Sequence, residues 1–399
     1  MSENKRIMVL GGSNFQLPII MRAKEMGLYV ISCDYLPDNP GHKISDEYHN
    51  VSTTDKEAVL ELAKSLDIDA IVTLSSDPAI PTVAFVADAL GLSGPSPEAV
   101  MILSEKDKFR TLLSKLGLNV PKSYVVDSLI IPEEIKNSNS KFVVKPVDSS
   151  GSKGITYSSA NENELKHAIE YALQHSRAKR CILEDYIDGD QIHGDGYLQD
   201  GKLIYHYLGD HFFYTKSKNF IPISTRWPCK YEGTEILDAV VSQVESICKA
   251  AGYLIGPVNI EARVTDSGNV YIIEVSPRNG GNYVPIIQEH LTGFDFVSKI
   301  IHSSLGVDVE VDNNHCEKKV GAHYILHSEK DAVFKSVRIS DEINDHIFFR
   351  KIFKTEGDEI KEYVGSNTTI GVLLLEFDTI DKRDDLMVNI KKLIQVVTV

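Results

Sequence analysis

Two carboxylates in one predicted hairpin have the residue type and spacing to bind a divalent cation. Glu261 and Glu274 lie in apolar segments that flank the turn sequence Asp266-Ser-Gly-Asn269. If Ser267 and Gly268 form a two-residue loop, the two carboxylates pair directly, with Cβ atoms about 5 Å apart. Like charges at that distance repel, and a cation between them removes the repulsion. Hard oxygen ligands without a closed cage favour Mg²⁺ that also binds nucleotide phosphates.

The same register places Asn259 and Ser276 on the face of the carboxylate pair, and Arg278 follows the second strand. The opposite face is predicted to be buried, since it carries Ile260, Ala262, Val264 and Ile273. The alternative is a solvent-facing strand surface with unrelated acids. A slip of one residue would also break the pairing.

A second segment has the composition of a phosphate-binding loop. The apolar strand Phe142 to Val144 ends at Lys145, and small residues follow from Asp148 to Gly154. Backbone N–H groups of such a loop can surround a phosphate while a lysine supplies charge. The order of a Walker A loop is absent, and a hairpin loop with a solvated lysine is the alternative.

Sheets and helices must hold these residues in place. The first hundred residues alternate strand and helix signals, which predicts a parallel sheet wound with helices. Strands near 123–126, 141–145 and 181–184 around a helix at 162–175 predict a small α+β unit. A hairpin around Gln199-Asp-Gly201, a long loop over 209–233, a helix at 235–251 and short strands after 312 complete the chain.

We therefore predict an α/β protein with four parts. These are an N-terminal parallel α/β domain (1–103), a linker helix with a small α+β lid (104–187), a central antiparallel-sheet domain (188–311) and a separate C-terminal α+β domain (312–399).

Composition and charge narrow the function classes. The 399 residues carry a formal net charge of −15, which argues against a general nucleic-acid partner. No segment approaches the roughly 18 apolar residues of a membrane span, and the N-terminus has no signal-peptide pattern. Five scattered cysteines without a C-x-x-C motif indicate reduced thiols, so we expect a cytoplasmic protein.

In this order along the chain, the motifs resemble those of the ATP-grasp superfamily, over residues 1 to 310. The resemblance implies a nucleotide bound between two antiparallel sheets, one of them in the lid. It is greatest to the amino-acid ligase and carbamoyl-phosphate-synthase-like branch. Members join a carboxylic acid to an amine through an acyl phosphate and release ADP and phosphate.

The resemblance also implies roles for single residues. Lys106 matches the basic residue near the phosphates, with Lys108 as its competitor, and Lys145 matches the lysine that meets the α- and β-phosphates. The flexible loop that closes over the phosphates corresponds to Ser149, Ser150, Gly151, Ser152 and Gly154.

The adenine hinge is matched by "ILEDYIDGDQ", residues 182–191. There Glu184 would contact or lie beside the adenine amine, and the base would meet backbone groups of Asp185, Tyr186 and Ile187. Asp190 would hold the ribose hydroxyls.

Glu261 and Glu274 match the paired magnesium ligands, and Arg278 matches the arginine that contacts the transferring phosphoryl group or the substrate carboxylate. Where the family usually has Asn, this chain has Ser276, a weaker ligand. Asn259 or Asn279 is the alternative third ligand.

The expected cofactors are ATP and Mg²⁺ or Mn²⁺, and the expected substrates are a small carboxylic acid and an amine. Formate or bicarbonate is the alternative acid. We expect no nucleic-acid or membrane partner, and a homodimer as the assembly.

Two other function classes compete. A nicotinamide-dependent dehydrogenase would use Gly11-Gly12 and Asp34, but the full G-x-G-x-x-G pattern is absent. A nucleotide-binding protein without catalysis would not need both glutamates and Arg278. The histidines at 193, 206 and 211 lack metal-ligand spacing. The loop over 209–233, with Lys216, Lys218 and Arg226, is either a substrate contact or a solvated surface loop.

Overall fold

The computed structural model describes residues 5–136, 138, 140–214, 220–307 and 318–399. Its first part contains the predicted parallel sheet, with four strands in the order β3 (Glu47–His49), β2 (Tyr29–Cys33), β1 (Arg6–Leu10) and β4 (Ala70–Val72). The central strand is apolar on both faces and Ile7 to Leu10 are fully buried, as expected for a parallel strand covered by helices. The elements are β1 (Arg6–Leu10), α1 (Leu17–Glu25), β2 (Tyr29–Cys33), β3 (Glu47–His49), α2 (Lys56–Ser65), β4 (Ala70–Val72) and α3 (Ile80–Leu90).

Two helices then lead into the lid. The sequence predicts one helix from Ser104, whereas the structure has two helices that meet at Glu105, because Ser96 caps an additional helix. The lid is an antiparallel sheet in the order β5 (Ser123–Val126), β8 (Cys181–Asp185), β6 (Lys141–Pro146) and β7 (Thr156–Ser159), with α7 (Glu162–His175) packed on one face. The elements are α4 (Pro97–Ser104), α5 (Lys106–Lys115), β5 (Ser123–Val126), α6 (Glu133–Lys136), β6 (Lys141–Pro146), β7 (Thr156–Ser159), α7 (Glu162–His175) and β8 (Cys181–Asp185).

The central part contains long antiparallel strands and three helices. Asp200 and Gly201 have positive φ and form the predicted tight turn, since Lys202 pairs with Gln199. The elements are β9 (Asp190–Gln199), β10 (Lys202–Phe213), β11 (Pro222–Trp227), α8 (Glu235–Ala251), β12 (Gly256–Val264), β13 (Val270–Ser276), α9 (Val284–Thr292) and α10 (Phe296–Ser304).

The predicted loop over 209–233 is wrong over 209–213, which extend β10, and over 222–227, which form β11. The strand face that carries His211, Phe213 and Thr225 mixes polar and apolar side chains. The alternation of apolar and polar residues that predicts a strand is therefore weak in this segment. Lys216 and Lys218 lie outside the described residues.

The last part contributes to the same large sheet. Its elements are β14 (Val320–Leu326), β15 (Ala332–Ile339), α11 (Asp341–Asn344), β16 (Ile347–Ile352), β17 (Glu359–Ile360), β18 (Gly371–Phe377), α12 (Ile380–Val388), α13 (Ile390–Leu393) and β19 (Ile394–Thr398). The large sheet has eight strands in the order β13-β12-β9-β10-β11-β14-β18-β16.

The predicted separate C-terminal domain therefore differs from the structure. Backbone pairing of β11 with β14 carries the central sheet across the predicted boundary at residue 311. This pairing joins residues about 100 positions apart, and no local pattern reports it. The boundaries at 103/104 and 187/188 stay predictions.

Helices connect the parts through apolar packing. The outer face of β12 and β13 packs on α8 and on α4 and α5. α10 packs its apolar residues Val297, Ile300 and Ile301 against the N-terminal sheet. Among the described residues, no helix is long and apolar enough to cross a bilayer.

Candidate functional site

A cavity of about 920 Å³ lies where the lid, the large sheet and the N-terminal sheet meet. Its walls include most of the residues singled out in the sequence. From the resemblance these are Lys106, Lys145, Ser149, Ser150, Gly151, Ser152, Glu184, Asp185, Tyr186, Ile187, Glu261, Glu274 and Arg278. Residues distributed over 170 positions of sequence are thus brought to one site.

Glu261 and Glu274 pair as predicted, but the hairpin between them has a longer loop than predicted and a bulge. Glu261 pairs directly with Glu274 and Asn259 with Ser276. However, Val264 pairs with Val270, so the loop has five residues instead of two. A bulge between Glu261 and Ala262 shifts the register back by one.

The bulge has one further consequence, for Ile273. The predicted buried face holds for Ile260, Ala262 and Val264, but Ile273 lines the cavity and Ile272 is buried in its place. A bulge inserts one unpaired residue, which reverses the alternation beyond it.

The two carboxylates differ in their proton affinity. Withdrawal from water and the charge of Glu274 raise the pKa of Glu261 to about 7. Burial also acts to raise the pKa of Glu274, but the charges of Lys106 and Arg278 and the Ser276 hydroxyl outweigh it, so the pKa falls. A dication would favour ionisation of both.

The two carboxylates suit a cation that takes its remaining ligands from phosphate or water oxygens. Among the described residues no three His, Cys, Asp or Glu side chains converge as metal ligands, so two carboxylates would need phosphate or water oxygens as well. Ser276 donates to Glu274 Oε1 at 2.6 Å, and the Asn259 amide nitrogen donates to Asp195 Oδ1 at 2.8 Å. Asn279 also donates to Asp195, at 3.1 Å. The third protein ligand stays open.

Lys106, rather than Lys108, reaches the cavity. Lys106 Nζ lies 3.9 Å from Glu274 Oε2 and donates to the Ser149 carbonyl at 3.1 Å. Lys108 instead pairs with Glu105 at 3.0 Å on the helix surface.

Glu184 and Lys145 form a buried ion pair. Lys145 Nζ donates to Glu184 Oε2 at 2.6 Å, and Arg110 donates to both carboxylate oxygens, at 2.6 and 3.3 Å. Burial alone would raise the pKa of Glu184, but Arg110 and Lys145 hold it at about 2. The Glu184 carboxylate therefore positions Lys145, and its contact with adenine stays a prediction.

Sequence reasoning missed Arg110. Its guanidinium is buried and also donates to the Ile273 carbonyl at 2.9 Å, so it ties α5 to the lid and to the carboxylate hairpin. The available signal was its position four residues after Lys106, on the same face of an amphipathic helix.

Asp190, predicted to bind ribose, faces away from the cavity. It pairs with Val264, and its carboxylate accepts from the Tyr231 hydroxyl at 2.9 Å and contacts Lys230. Successive strand residues point to opposite faces, so the next residue, Gln191, faces the cavity instead. Gln191 donates to Glu261 Oε2 at 2.9 Å and accepts from Arg263 at 3.1 Å.

This correction yields a prediction. Replacing Gln191 with alanine should raise the dissociation constant of Mg-ATP about 2- to 10-fold, the effect of one lost hydrogen bond. Asp190→Asn, one residue away on the opposite face, should leave it unchanged. Isothermal titration calorimetry measures both. Weaker binding in the Asp190 variant alone would restore the original assignment.

The small-residue loop is held close to the C-terminal part. Gly151, Ser152 and Gly154 have positive φ. Added Cβ atoms on the two glycines would come within 2.6 Å of Ser366 Oγ and 2.5 Å of Pro146 Cγ respectively. Ser152 Oγ donates to the Phe220 carbonyl at 3.0 Å. Of the loop residues, Gly154 does not line the cavity.

Arg278 connects the N-terminal domain to the carboxylate pair. Its guanidinium donates to both oxygens of Asp77 at 2.6 and 2.8 Å and lies 4.0 Å from Glu274 Oε1. Asp77 follows β4, and the sequence carried no signal for this partner because the two residues are 201 positions apart.

Comparisons with known proteins agree with this geometry. Residues 138–285 match the ATP-grasp domain family. The formate-dependent phosphoribosylglycinamide formyltransferase of Prochlorococcus marinus (strain NATL2A) is 24% identical over 94% of this chain and 96% of its own length.

Two solved structures each align with this chain over the full length of both proteins. The L-amino acid ligase from Bacillus licheniformis superposes with a TM-score of 0.86 at 21% identity, and the phosphoribosylglycinamide synthetase from Anaerococcus prevotii with 0.78 at 25%. The predicted fold is thereby confirmed. The chain thus contains an ATP-grasp domain over residues 138–285.

Proposed function

We propose that the chain is an ATP-dependent ligase that joins a carboxylic acid to an amine through an acyl phosphate and releases ADP and phosphate. The observation that supports the proposal is the direct pairing of Glu261 with Glu274. Lys106, Lys145 and Arg278 line the same cavity. Opposed carboxylates beside several cations fit a metal–triphosphate complex, in which both kinds of charge find partners.

The chemistry requires positioning and charge more than proton transfer. A carboxylate oxygen attacks the γ-phosphorus, the bond from that phosphorus to the bridging oxygen breaks, and ADP leaves. The amine nitrogen then attacks the acyl carbon, the carbon–oxygen bond to phosphate breaks, and the lost proton passes to phosphate or solvent.

Each charged residue has a role in these steps. Mg²⁺ held by Glu261 and Glu274 would neutralise charge that develops on the phosphates. Lys106 and Lys145 supply positive charge to the phosphates, and Arg278, oriented by Asp77, is placed to stabilise the transferring group. The loop from Ser149 to Gly154 would keep water from the acyl phosphate.

Formate as the acid is a second candidate, because the Prochlorococcus relative is named for formate and a phosphoribosyl acceptor. A phosphoribosyl acceptor fits this cavity less well. Its N-terminal wall, drawn from residues 5–104, all of which are described, contributes Asp34 and Asp77 but no Lys, Arg or His. Asp77 is already paired with Arg278, so a phosphate group would find no free cation contributed by that wall, whereas an amine would meet the carboxylate of Asp34.

The test is to measure ADP, AMP, phosphate and pyrophosphate after the chain is incubated with Mg-ATP and pooled acids crossed with pooled amines. ADP and phosphate should appear in equal amounts. With hydroxylamine in place of the amine, a hydroxamate of the acid should form. AMP and pyrophosphate would indicate an adenylate intermediate and contradict the proposal.

A further inference from the structure

The amide of Asn259 lies on the face of the hairpin that carries the carboxylate pair. Asn259 and Glu261 are alternate residues of β12, so their side chains point to the same side of the sheet. The backbone pairs Asn259 directly with Ser276, and Glu261 directly with Glu274. Directly opposed residues have Cβ atoms about 5 Å apart, so the four side chains form one patch.

Hydrogen bonds fix the orientation of the Asn259 amide. Its nitrogen, Nδ2, lies 2.8 Å from Asp195 Oδ1 and 3.3 Å from the carbonyl oxygen of Gly194. His193 Nε2, at 2.9 Å, is a third neighbour of this nitrogen. Exchanging the amide nitrogen and oxygen would place oxygen against oxygen at Asp195 and at Gly194, so Oδ1 points away from both.

Asp195 holds this orientation from behind the cavity wall. Its carboxylate is fully buried and accepts from Nδ2 of Asn259, from Nδ2 of Asn279 at 3.1 Å and from the Gly280 backbone N–H at 2.7 Å. A buried carboxylate with three donors keeps its place, because moving it would leave polar groups unsatisfied. The Asn259 amide therefore has one orientation.

The oxygen of the Asn259 amide is open to the cavity. Asn259 lines the cavity, although the residue as a whole is only 3% exposed. Oδ1 accepts no hydrogen bond from the described residues, yet protein does not enclose it, since this atom keeps solvent-accessible surface. A ligand in the cavity can therefore reach this oxygen directly.

The other two candidates for the third metal ligand do not present an oxygen to the cavity. Asn279 Oδ1 also lacks a hydrogen-bond partner, but it is enclosed by protein, and Asn279 is not part of the described cavity wall. Ser276 does not line the cavity either, and its hydroxyl donates to Glu274 Oε1 at 2.6 Å. Geometry thus favours Asn259 over both.

Three oxygen atoms without donors occur on this face of the hairpin. Glu261 and Glu274 each accept one hydrogen bond, at Oε2 and Oε1 respectively. Their other oxygens, like Oδ1 of Asn259, have no hydrogen-bond donor in the described part of the chain. Lys106 Nζ lies 3.9 Å from Glu274 Oε2, beyond hydrogen-bonding distance. Unpaired carboxylate and amide oxygens are the ligands that a hard divalent cation binds.

We propose that Asn259 Oδ1 is the third protein ligand of the divalent cation, beside Glu261 and Glu274. The inference rests on the ligase activity proposed above, which requires a metal–nucleotide complex at the carboxylate pair. A neutral amide adds an oxygen without a third negative charge, and phosphate and water oxygens take the remaining positions. Ser276 instead positions Glu274 through its hydroxyl.

The test uses Mn²⁺ with saturating ADP as the probe, because Mn²⁺ prefers the same oxygen ligands as Mg²⁺ and has an EPR signal. EPR titration gives the dissociation constant of Mn²⁺. ENDOR spectra of chain labelled with ¹³C at the side-chain carbonyl of asparagine detect a bound asparagine by its ¹³C coupling. Asn279→Ala is the matched control for Asn259→Ala, since both residues donate to Asp195 and only Asn259 lines the cavity.

The wild-type chain should show the ¹³C coupling. Asn259→Ala should abolish it and raise the dissociation constant of Mn²⁺ at least about 10-fold, the lower end of what even the loss of an outer-shell partner costs. Asn279→Ala should change neither, and melting temperatures establish that the variants fold. Asn39→Ala and Asn282→Ala, which replace the other described asparagines of the cavity wall, should keep the coupling. They identify Asn259 among these residues even if Asn259→Ala does not fold.

Contrary outcomes separate the two proposals. The ligand assignment alone would be overturned by a wild-type chain that binds Mn²⁺ without a ¹³C coupling. It would also be overturned by an unchanged coupling or dissociation constant in Asn259→Ala, or by loss of the coupling in Asn279→Ala. A wild-type chain that binds no Mn²⁺ in the presence of ADP would overturn the paired-carboxylate site, and with it the ligase proposal.

Discussion

Lys145→Ala is expected to weaken binding of Mg-ATP and to lower turnover on the order of 10²- to 10³-fold, as when one donor to developing charge is removed. Lys145 is buried at the cavity wall and is held there by Glu184. The fold should survive, because Arg110 still pairs with both oxygens of Glu184. Calorimetry and ADP release measure the two effects.

Lys108→Ala is the matched control for this variant. Lys108 was the alternative to Lys106 as a phosphate-binding lysine in the sequence, but it pairs with Glu105 on the surface. Exposed ion pairs of this kind contribute less than about 1 kcal/mol to stability. Normal ATP affinity in Lys145→Ala, or equal losses in both variants, would exclude the phosphate-binding role.

Glu274→Gln and Glu261→Gln are expected to lower turnover severely and to remove the stabilisation that Mg-ATP gives. A ligand at 100 times its dissociation constant stabilises the folded state by about 2.7 kcal/mol, so its loss is visible as a smaller shift in melting temperature. Without metal, Glu261→Gln should be as stable as wild type or more so, because the repulsion between the two carboxylates is relieved. Glu274→Gln should not gain stability, because it also loses the attraction of Lys106 and Arg278 that lowers the pKa of Glu274.

Ile272→Gln provides the contrast on the other face of the same strand. Ile272 is 1% exposed and packs in the core formed with α8, so a buried amide there should cost about 1–3 kcal/mol with or without metal. Thermal melts in EDTA and in Mg-ATP give both comparisons. If both glutamine variants kept normal magnesium dependence and turnover, the paired-carboxylate site would be wrong.

Local sequence patterns predicted many of the helices and strands and part of the site. The helices at Glu162–His175 and Glu235–Ala251 begin and end where their periodicity predicts. The Glu261–Glu274 pair was predicted from a register that is correct only because a five-residue loop and a bulge offset each other. Sequence pattern thus identified which residues meet, but not the backbone geometry that brings them together.

The remaining errors come from strand parity and from distant pairing. Asp190 and Gln191 are equally plausible from composition, and only the register against β12 decides which one faces the cavity. The roles of Arg110 and Asp77 depend on contacts with residues 74 and 201 positions away in the sequence. A single sequence gives no direct signal for such contacts.

The most direct measurement of the proposed chemistry follows one oxygen atom. The acid identified by ADP release is prepared with ¹⁸O in its carboxylate, and the reaction with the amine is analysed by mass spectrometry. An acyl-phosphate route transfers one labelled oxygen to inorganic phosphate in every turnover and leaves ADP unlabelled. Phosphate without label, or label in AMP, would contradict the account.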